Sequence, residues 1–243
     1  RHLFADLIAP YRIAVVPNGI DWLAVHKTAR ELHKPHRYRI LHLSTLSQLK
    51  GAPVLLAAVP MVLKVRQDVE FLFAGPWSHE EDRREAESFV EHHGLSGHVV
   101  FTGPVNTIEH KRSIYSSADL FVFPGIQQEG QPLVVLEAMA SGVPVLFTDR
   151  GCLRDTVIEG ECGLEVRPND PRHLADRILW FLDHPEELER MGRNARERFE
   201  RFYTSERFIR HLGDLFTLAS GGWRPLPRVA VVRVGETERH RAR

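Results

Sequence analysis

The sequence is poor in cysteine, because its 243 residues include only Cys152 and Cys162. No CxxC pair is present, so the cysteine pattern indicates neither a disulfide framework nor a zinc site, and it fits a reducing compartment. The 14 histidines do not form an HExxH array. We therefore expect no metal to be bound.

Long apolar runs and an excess of either charge are also missing. No run approaches the roughly 20 residues needed to cross a bilayer, and the start shows no secretory signal pattern. The 32 basic and 32 acidic residues cancel, which argues against non-specific nucleic-acid binding. With 43% hydrophobic residues, the chain can bury a sizeable core. These properties predict a globular cytoplasmic protein with no nucleic-acid partner.

What the chain does have is an alternation of short apolar runs and longer helix-like segments. Strands are predicted at residues 39–43, 69–75, 99–103, 119–124 and 143–148, and helices at 51–66, 80–93, 109–117, 171–182, 185–202 and 205–218. This alternation predicts an α/β fold, namely a Rossmann-like doubly wound parallel sheet followed by C-terminal helices. In such sheets ligands bind beyond the carboxyl ends of the strands.

The strand at residues 119–124 leads into the segment with the most promising chemistry. Glu129 lies in the loop after this strand, and Glu137 lies eight residues later in a helix that begins near Pro132. A helix start offers unpaired N–H groups and partial positive charge, which suit a phosphorylated ligand. Glu137 can then accept hydrogen bonds from sugar or ribose hydroxyls, and Glu129 can reach the reacting group. In the alternative interpretation, Glu137 faces solvent and Glu129 is a favourable charge beside the helix start.

Lys50 is a candidate phosphate ligand from a second loop. It ends the polar segment 44–50 that follows the strand at 39–43, and a helix begins just after it at Gly51. An ammonium there can neutralise a diphosphate leaving group. The alternative is that Lys50 is solvated surface, as lysines in polar loops usually are.

These residues resemble a known family. The order EGxxL from Glu129, EAMA from Glu137 and GxPV from Gly142 is similar to the donor-sugar domain of family 4 glycosyltransferases, which are retaining enzymes of the GT-B fold. Residues 15–21 resemble the linker between the two domains of that family, and Lys50 with the following glycine resembles its phosphate-contacting lysine. The fold implied by the resemblance is the second half of a GT-B enzyme.

The resemblance implies roles for particular residues. Glu129 and Lys50 would be catalytic, with Glu129 orienting the donor sugar and Lys50 stabilising the diphosphate, while Glu137 would bind the ribose hydroxyls. Further donor contacts are implied for these residues: Ser44, Thr45, Val105, Gly130, Gln131, Pro132 and Leu133. The donor would be a UDP- or GDP-linked sugar, transferred with retention to an acceptor hydroxyl without a metal or another cofactor.

Two positions depart from the family pattern. Thr45 stands where the family commonly has an arginine five residues before the lysine, so one diphosphate contact is lost or supplied elsewhere. Gln131 and Pro132 replace the usual aromatic residue and glycine, and Pro132 removes one N–H donor. The side-chain amide of Gln131 can compensate. These changes leave the fold prediction intact and sugar specificity open.

The resemblance also divides the chain into three parts. Residues 1–21 correspond to the end of an N-terminal acceptor domain and the interdomain linker, residues 22–220 to the nucleotide-sugar-binding domain, and residues 221–243 to a basic tail. A turn is indicated at Asn18-Gly19, after Pro17, and it is either a hinge or a plain surface turn. Because the acceptor half would be missing, we expect the isolated chain to bind the donor but to transfer little sugar to a carbohydrate or lipid-linked acceptor.

Two other functions fit the same residues. A GT-B nucleotide-sugar epimerase would share the sheet and the diphosphate site, and a non-catalytic nucleotide-sugar-binding module would share the fold. The arginine-rich tail can attract anionic lipid headgroups, which would place the full-length protein at the inner face of the membrane. The alternative for the tail is a solvated terminus.

Overall fold

The computed structural model describes residues 14–22 and 38–220. The chain divides into two compact units, of which the larger runs from Trp22 to Phe199. The described part of the smaller unit consists of residues 14–21 and 200–220. The predicted basic tail, residues 221–243, and residues 1–13 of the predicted acceptor-domain end lie outside the described residues.

Strands and helices alternate along the larger unit as the sequence predicts. The strands are β1 (Tyr38–Leu43), β2 (Val69–Ala74), β3 (Val99–Gly103), β4 (Leu120–Phe123), β5 (Val145–Phe147) and β6 (Gly163–Glu165). The helices are α1 (Ala52–Leu63), α2 (Glu80–His92), α3 (Ile108–Ser117), α4 (Leu133–Ala140), α5 (Leu153–Thr156), α6 (Pro171–Asp183), α7 (Pro185–Phe202) and α8 (Ser205–Ser220).

The six strands form one parallel sheet in the order β3-β2-β1-β4-β5-β6. From β1 the chain moves outward to β2 and β3, and from β4 it moves outward in the opposite direction to β5 and β6. The sheet therefore reverses its strand order between β1 and β4, where doubly wound folds open a crevice beyond the carboxyl ends of the strands. The predicted Rossmann-like parallel sheet is confirmed.

Alternation along the central strands supplies a core on both faces of the sheet. Leu120 and Val122 of β4 belong to the apolar cluster that includes buried residues of α1 and α6. Phe121 points to the other face, where its ring lies 5.8 Å from that of Tyr115 in α3. Because successive side chains of a strand point to opposite faces, a strand covered on both sides is apolar throughout. The central strands are therefore rigid supports for the loops that follow them.

The predicted turn at Asn18-Gly19 is wrong. Residues 14–19 contain neither a turn nor a bend, and Ile20 forms an isolated parallel bridge with Thr204 in the same unit. A Cβ atom on Gly19 would lie 2.4 Å from the Thr204 carbonyl oxygen. Glycine is therefore required here because another backbone segment approaches closely. A Pro-Asn-Gly sequence is compatible with a turn and with such an approach, so the local pattern does not separate the two.

Candidate functional site

Two loops meet at the point where the strand order reverses. Residues 44–51 connect β1 to α1, and residues 124–132 connect β4 to α4. The carbonyl of Leu49 accepts hydrogen bonds from the N–H groups of Ile126 at 3.0 Å and Gln127 at 3.4 Å. Gly51 has a φ of 83°, and a Cβ atom there would lie 2.4 Å from the Pro124 carbonyl oxygen. Only glycine permits this approach, which fixes the two loops against each other.

Lys50 and Glu129 form an ion pair across these loops. The Lys50 ammonium donates a hydrogen bond to Oε1 of Glu129. The side chains are 26% and 13% exposed, respectively, so the pair is shielded but remains open to a ligand. The Lys50 nitrogen lies 5.9 Å from the ring centroid of Phe123, the last residue of β4. The structure thus brings together the two residues that the sequence assigns to catalysis.

The loop after β5 holds the backbone of Glu129 in place. The N–H of Cys152 donates to the Glu129 carbonyl at 3.2 Å. Gly151 has a φ of 64°, and a Cβ atom on it would lie 1.7 Å from the same carbonyl oxygen. The Thr148 hydroxyl donates to the carbonyl of Gly125, at the start of the loop that carries Glu129. The position of this loop therefore depends on β5 as well as on β4.

Glu137 is held by α3 instead of facing solvent. It is 7% exposed, its Oε1 accepts from the Lys111 ammonium at 2.8 Å, and its Oε2 accepts from the Tyr115 hydroxyl at 3.1 Å. The Tyr115 hydroxyl also lies 2.8 Å from the carbonyl of Val134. Burial, and secondly the charge of Glu137, raise the pKa of Tyr115 well above its usual value. The solvent-facing alternative for Glu137 is therefore wrong.

The start of α4 presents N–H groups at the edge of the sheet. Pro132 is the non-helical residue that caps α4. Its carbonyl oxygen accepts the first hydrogen bond of the helix, from the N–H of Val135 at 3.1 Å. By helix geometry the N–H groups of Leu133 and Val134 precede this bond. The side chain of Leu133 is 49% exposed, which leaves the helix start accessible. The amide of Gln131 donates to the Thr156 hydroxyl at 3.2 Å, which anchors this side chain to α5.

The remaining predicted donor contacts are distributed along the same edge. Ser44 is partly buried at the end of β1, where its Oγ lies 2.9 Å from Nε2 of His42. Thr45 and Gly130 are exposed. Val105 is partly buried in the loop after β3, two strands away from β1 in the sheet. The roles assigned to these residues by resemblance stay predictions.

Sequence reasoning missed three side chains that shape the site. Lys111 and Tyr115 hold Glu137, and His42 contacts Ser44. Arg150 follows β5, and its Nε atom is buried with no hydrogen-bond partner among the described residues. The polar residues within the apolar segments, His42 above all, were the available signal, because buried polar side chains require partners.

The six-stranded parallel sheet with its flanking helices defines the class: a Rossmann-like domain of the kind found in GT-B glycosyltransferases. The family described as glycosyl transferases group 1 matches residues 26–198. The chain belongs to this family.

Curated relatives and solved structures agree with this assignment. The chain is 32% identical over 209 residues to the D-inositol 3-phosphate glycosyltransferase of Paenarthrobacter aurescens, covering 83% of this chain and 50% of the relative. Sucrose-phosphate synthase from Thermosynechococcus elongatus superposes with a TM-score of 0.72 at 27% identity, covering 85% of this chain and 52% of that one. The chain thus spans about half the length of these relatives.

A third structure shares the fold at lower identity. HepE from Anabaena, determined in complex with UDP and glucose, superposes with a TM-score of 0.70 at 20% identity, covering 79% of this chain and 51% of that chain.

Within residues 14–22 and 38–220, no helix is both long and apolar enough to span a membrane. The same described residues contain no group of three or more histidine, cysteine or acidic side chains placed to hold a metal ion.

Proposed function

We propose that this chain binds the nucleoside-diphosphate sugar used by a retaining glycosyltransferase. The observation that carries the proposal is the Lys50–Glu129 ion pair, which joins the two loops at the reversal of strand order. This is where doubly wound sheets bind their ligands. Family membership supports the assignment, and the UDP and glucose present in the HepE structure support a nucleotide-sugar donor.

In the proposed complex, positive charge from Lys50 and the N–H groups of α4 stabilise the diphosphate. The leaving group gains negative charge as the glycosidic bond breaks, and donors that are already oriented stabilise it without reorganising. Lys50 must then exchange part of its contact with Glu129 for phosphate oxygens. This exchange releases the Glu129 carboxylate to contact the donor sugar.

Glu137 is proposed to bind the two ribose hydroxyls. Its carboxylate is fixed by Lys111 and Tyr115 before any ligand arrives, and a carboxylate retains acceptor sites beyond those two bonds. We assign the acceptor, a carbohydrate or lipid-linked hydroxyl, to the part of the relatives' length that this chain does not span. Location in the cytoplasm, with peripheral contact to the inner face of the membrane, completes the proposal.

Calorimetric titration of the 243-residue chain tests the donor assignment. We expect UDP or GDP to bind, and the matching sugar conjugate to bind with similar or higher affinity. Absence of binding by both nucleotides and by their glucose and mannose conjugates would overturn the proposal. Interconversion of sugar nucleotides without an acceptor would instead identify an epimerase.

A second titration separates the roles of the two acids. Glu137→Gln should weaken UDP binding about tenfold, the effect of one charge-assisted hydrogen bond, while leaving binding of inorganic pyrophosphate unchanged. Glu197→Gln, an exposed position in α7, is the matched control and should change neither. Equal losses for UDP and pyrophosphate would show that Glu137 acts on the diphosphate or on the fold, and not on the ribose.

A further inference from the structure

His42 is a buried histidine at the carboxyl end of β1 that the proposed function does not use. Its side chain is fully buried, and its ring lies 6.1 Å from that of Phe73 on the neighbouring strand. Its Nδ1 atom lies 2.9 Å from the Val122 carbonyl oxygen, and its Nε2 atom lies 2.9 Å from Oγ of Ser44. The ring therefore connects the interior of the sheet to a residue on the ligand-facing edge.

These contacts fix which nitrogen carries the proton in the neutral ring. A backbone carbonyl can only accept, so Nδ1 must carry the hydrogen and donate it to Val122. Nε2 is then an acceptor and requires the hydroxyl hydrogen of Ser44. The Ser44 hydroxyl also lies 3.0 Å from the carbonyl of Thr45. Two acceptors thus compete for one hydroxyl hydrogen, and none is left for an anionic ligand.

Burial, together with the nearby charge of Lys50, keeps the His42 ring neutral in the free protein. Burial is the main cause that lowers its pKa to about 4, and the positive charge of Lys50 lowers it further, while the bond to Val122 opposes this. Lys50 is itself paired with Glu129 from the loop after β4. From β2 the ring meets the uncharged Phe73. An anion bound beside Lys50 would cancel this positive charge, which is the smaller opposing cause, and its own negative charge would favour the protonated ring against the larger effect of burial.

We propose that binding of a nucleoside diphosphate places one proton from solvent on Nε2 of His42, which turns Ser44 into a hydrogen-bond donor to the phosphate. The protonated ring donates from Nδ1 to Val122 and from Nε2 to Ser44, so the serine hydroxyl hydrogen is free to point at the anion. His42 is thus a positioning residue for Ser44. This inference rests on the proposed function.

Calorimetry of the full chain with UDP-glucose tests the proton uptake. The esterified diphosphate of this probe has no group that titrates near neutral pH, so proton exchange must come from the protein. Titrations in buffers of different ionisation enthalpy should show uptake that approaches one proton as the pH falls from about 8 to about 6. Over the pH range where uptake is complete, the dissociation constant should fall by up to tenfold for each unit by which the pH is lowered. GDP-mannose is the second probe if UDP-glucose does not bind.

Variants assign the proton to this pair. Ser44→Ala and His42→Gln should each abolish the uptake and weaken binding at low pH. His98→Gln is the matched control, because Nδ1 of His98 also lies 2.8 Å from a backbone carbonyl, that of Val69, at the amino end of the sheet. The control should retain the uptake of the unchanged chain. Uptake that persists in Ser44→Ala or His42→Gln would overturn the inference.

Nitrogen NMR of the unchanged chain gives a readout that does not depend on a variant folding. On addition of UDP-glucose at about pH 6.5, the Nε2 resonance of His42 should move from the position of an unprotonated nitrogen to that of a protonated one. Binding without this change would overturn the inference and leave the proposed donor site intact. Failure of every nucleotide and sugar nucleotide to bind would overturn both.

Discussion

The two glutamates of the site are each paired with a lysine, but the surroundings of the two pairs differ. Glu129 and Lys50 lie on two loops, and their side chains are 13% and 26% exposed. Glu137 lies within α4, and both of its partners, Lys111 and Tyr115, come from α3. One pair joins irregular segments at the ligand edge, whereas the other joins two packed helices.

The difference indicates that the two pairs respond to a ligand in different ways. Helix-borne residues that hold one another through a lysine and a tyrosine keep their geometry, which suits recognition of fixed ribose hydroxyls. A lysine and a glutamate on loops can give up their ion pair at modest cost, because partly exposed ion pairs are weak. The lysine can then contact phosphate and the glutamate can contact the sugar.

Acid should lower the free energy of unfolding of the chain, because His42 is buried as a neutral ring near Lys50. The pKa of this histidine is about 4 in the folded chain against an ordinary 6.5, so the unfolded chain binds a proton that the folded chain does not. The contribution of the neutral ring to the free energy of unfolding is therefore fully present above pH 6.5. The free energy of unfolding falls by about 3 kcal/mol as the pH drops toward 4. Urea unfolding at several pH values measures this loss. His42→Gln should flatten the slope, and an unchanged slope would contradict the assignment.

Removing the loop lysine should weaken nucleotide binding more than removing the helix lysine. Lys50→Ala should reduce the affinity for UDP about 100-fold, because it deletes a charge-assisted contact to the diphosphate. Lys111→Ala should reduce it about tenfold, since it only loosens Glu137. Calorimetry checks both values, with Lys64→Ala, at the exposed end of α1, as the unaffected control. Equal losses would remove the distinction between the pairs.

The fixed pair should contribute to stability through Tyr115. Tyr115→Phe deletes the hydroxyl that contacts Val134 and Glu137 and keeps the buried ring. We expect the free energy of unfolding to fall by about 1 kcal/mol, the usual net value of a hydrogen bond. Urea unfolding measures this, while pyrophosphate titration should show no change. A loss of pyrophosphate affinity would show that the two pairs are not independent.

The smallest effect is expected at the exchangeable pair. Glu129→Gln should raise the affinity for UDP about threefold, because Lys50 no longer has to leave an ion pair. The same change should remove any added affinity for the sugar conjugate and should lower transfer in the complete enzyme. Parallel titrations with UDP and UDP-glucose check this. Full activity of the Glu129→Gln enzyme would rule out the proposed contact with the sugar.

Much of the fold could be predicted from local patterns. β4 is buried throughout and wholly apolar, β1 and β2 are buried and mainly apolar in their last four residues, and each of the three strands is followed by a helix. The site could be predicted only in part. Lys50 and Glu129 stand 79 residues apart in the chain, and their roles came from resemblance. Nothing local to either residue indicates that they touch.

Local sequence patterns were enough to predict the parallel α/β fold and the loops that carry the acidic and basic residues, because strand and helix periodicity and helix-start residues act over short distances. Which charges meet depends on the packing of elements that are distant in the chain. Lys50 meets Glu129 and Lys111 meets Glu137 because the strand order reverses between β1 and β4, and because α3 packs against α4. The state of His42 also depends on the tertiary structure, because burial keeps its ring neutral and the Val122 carbonyl from β4 fixes the single ring hydrogen on Nδ1.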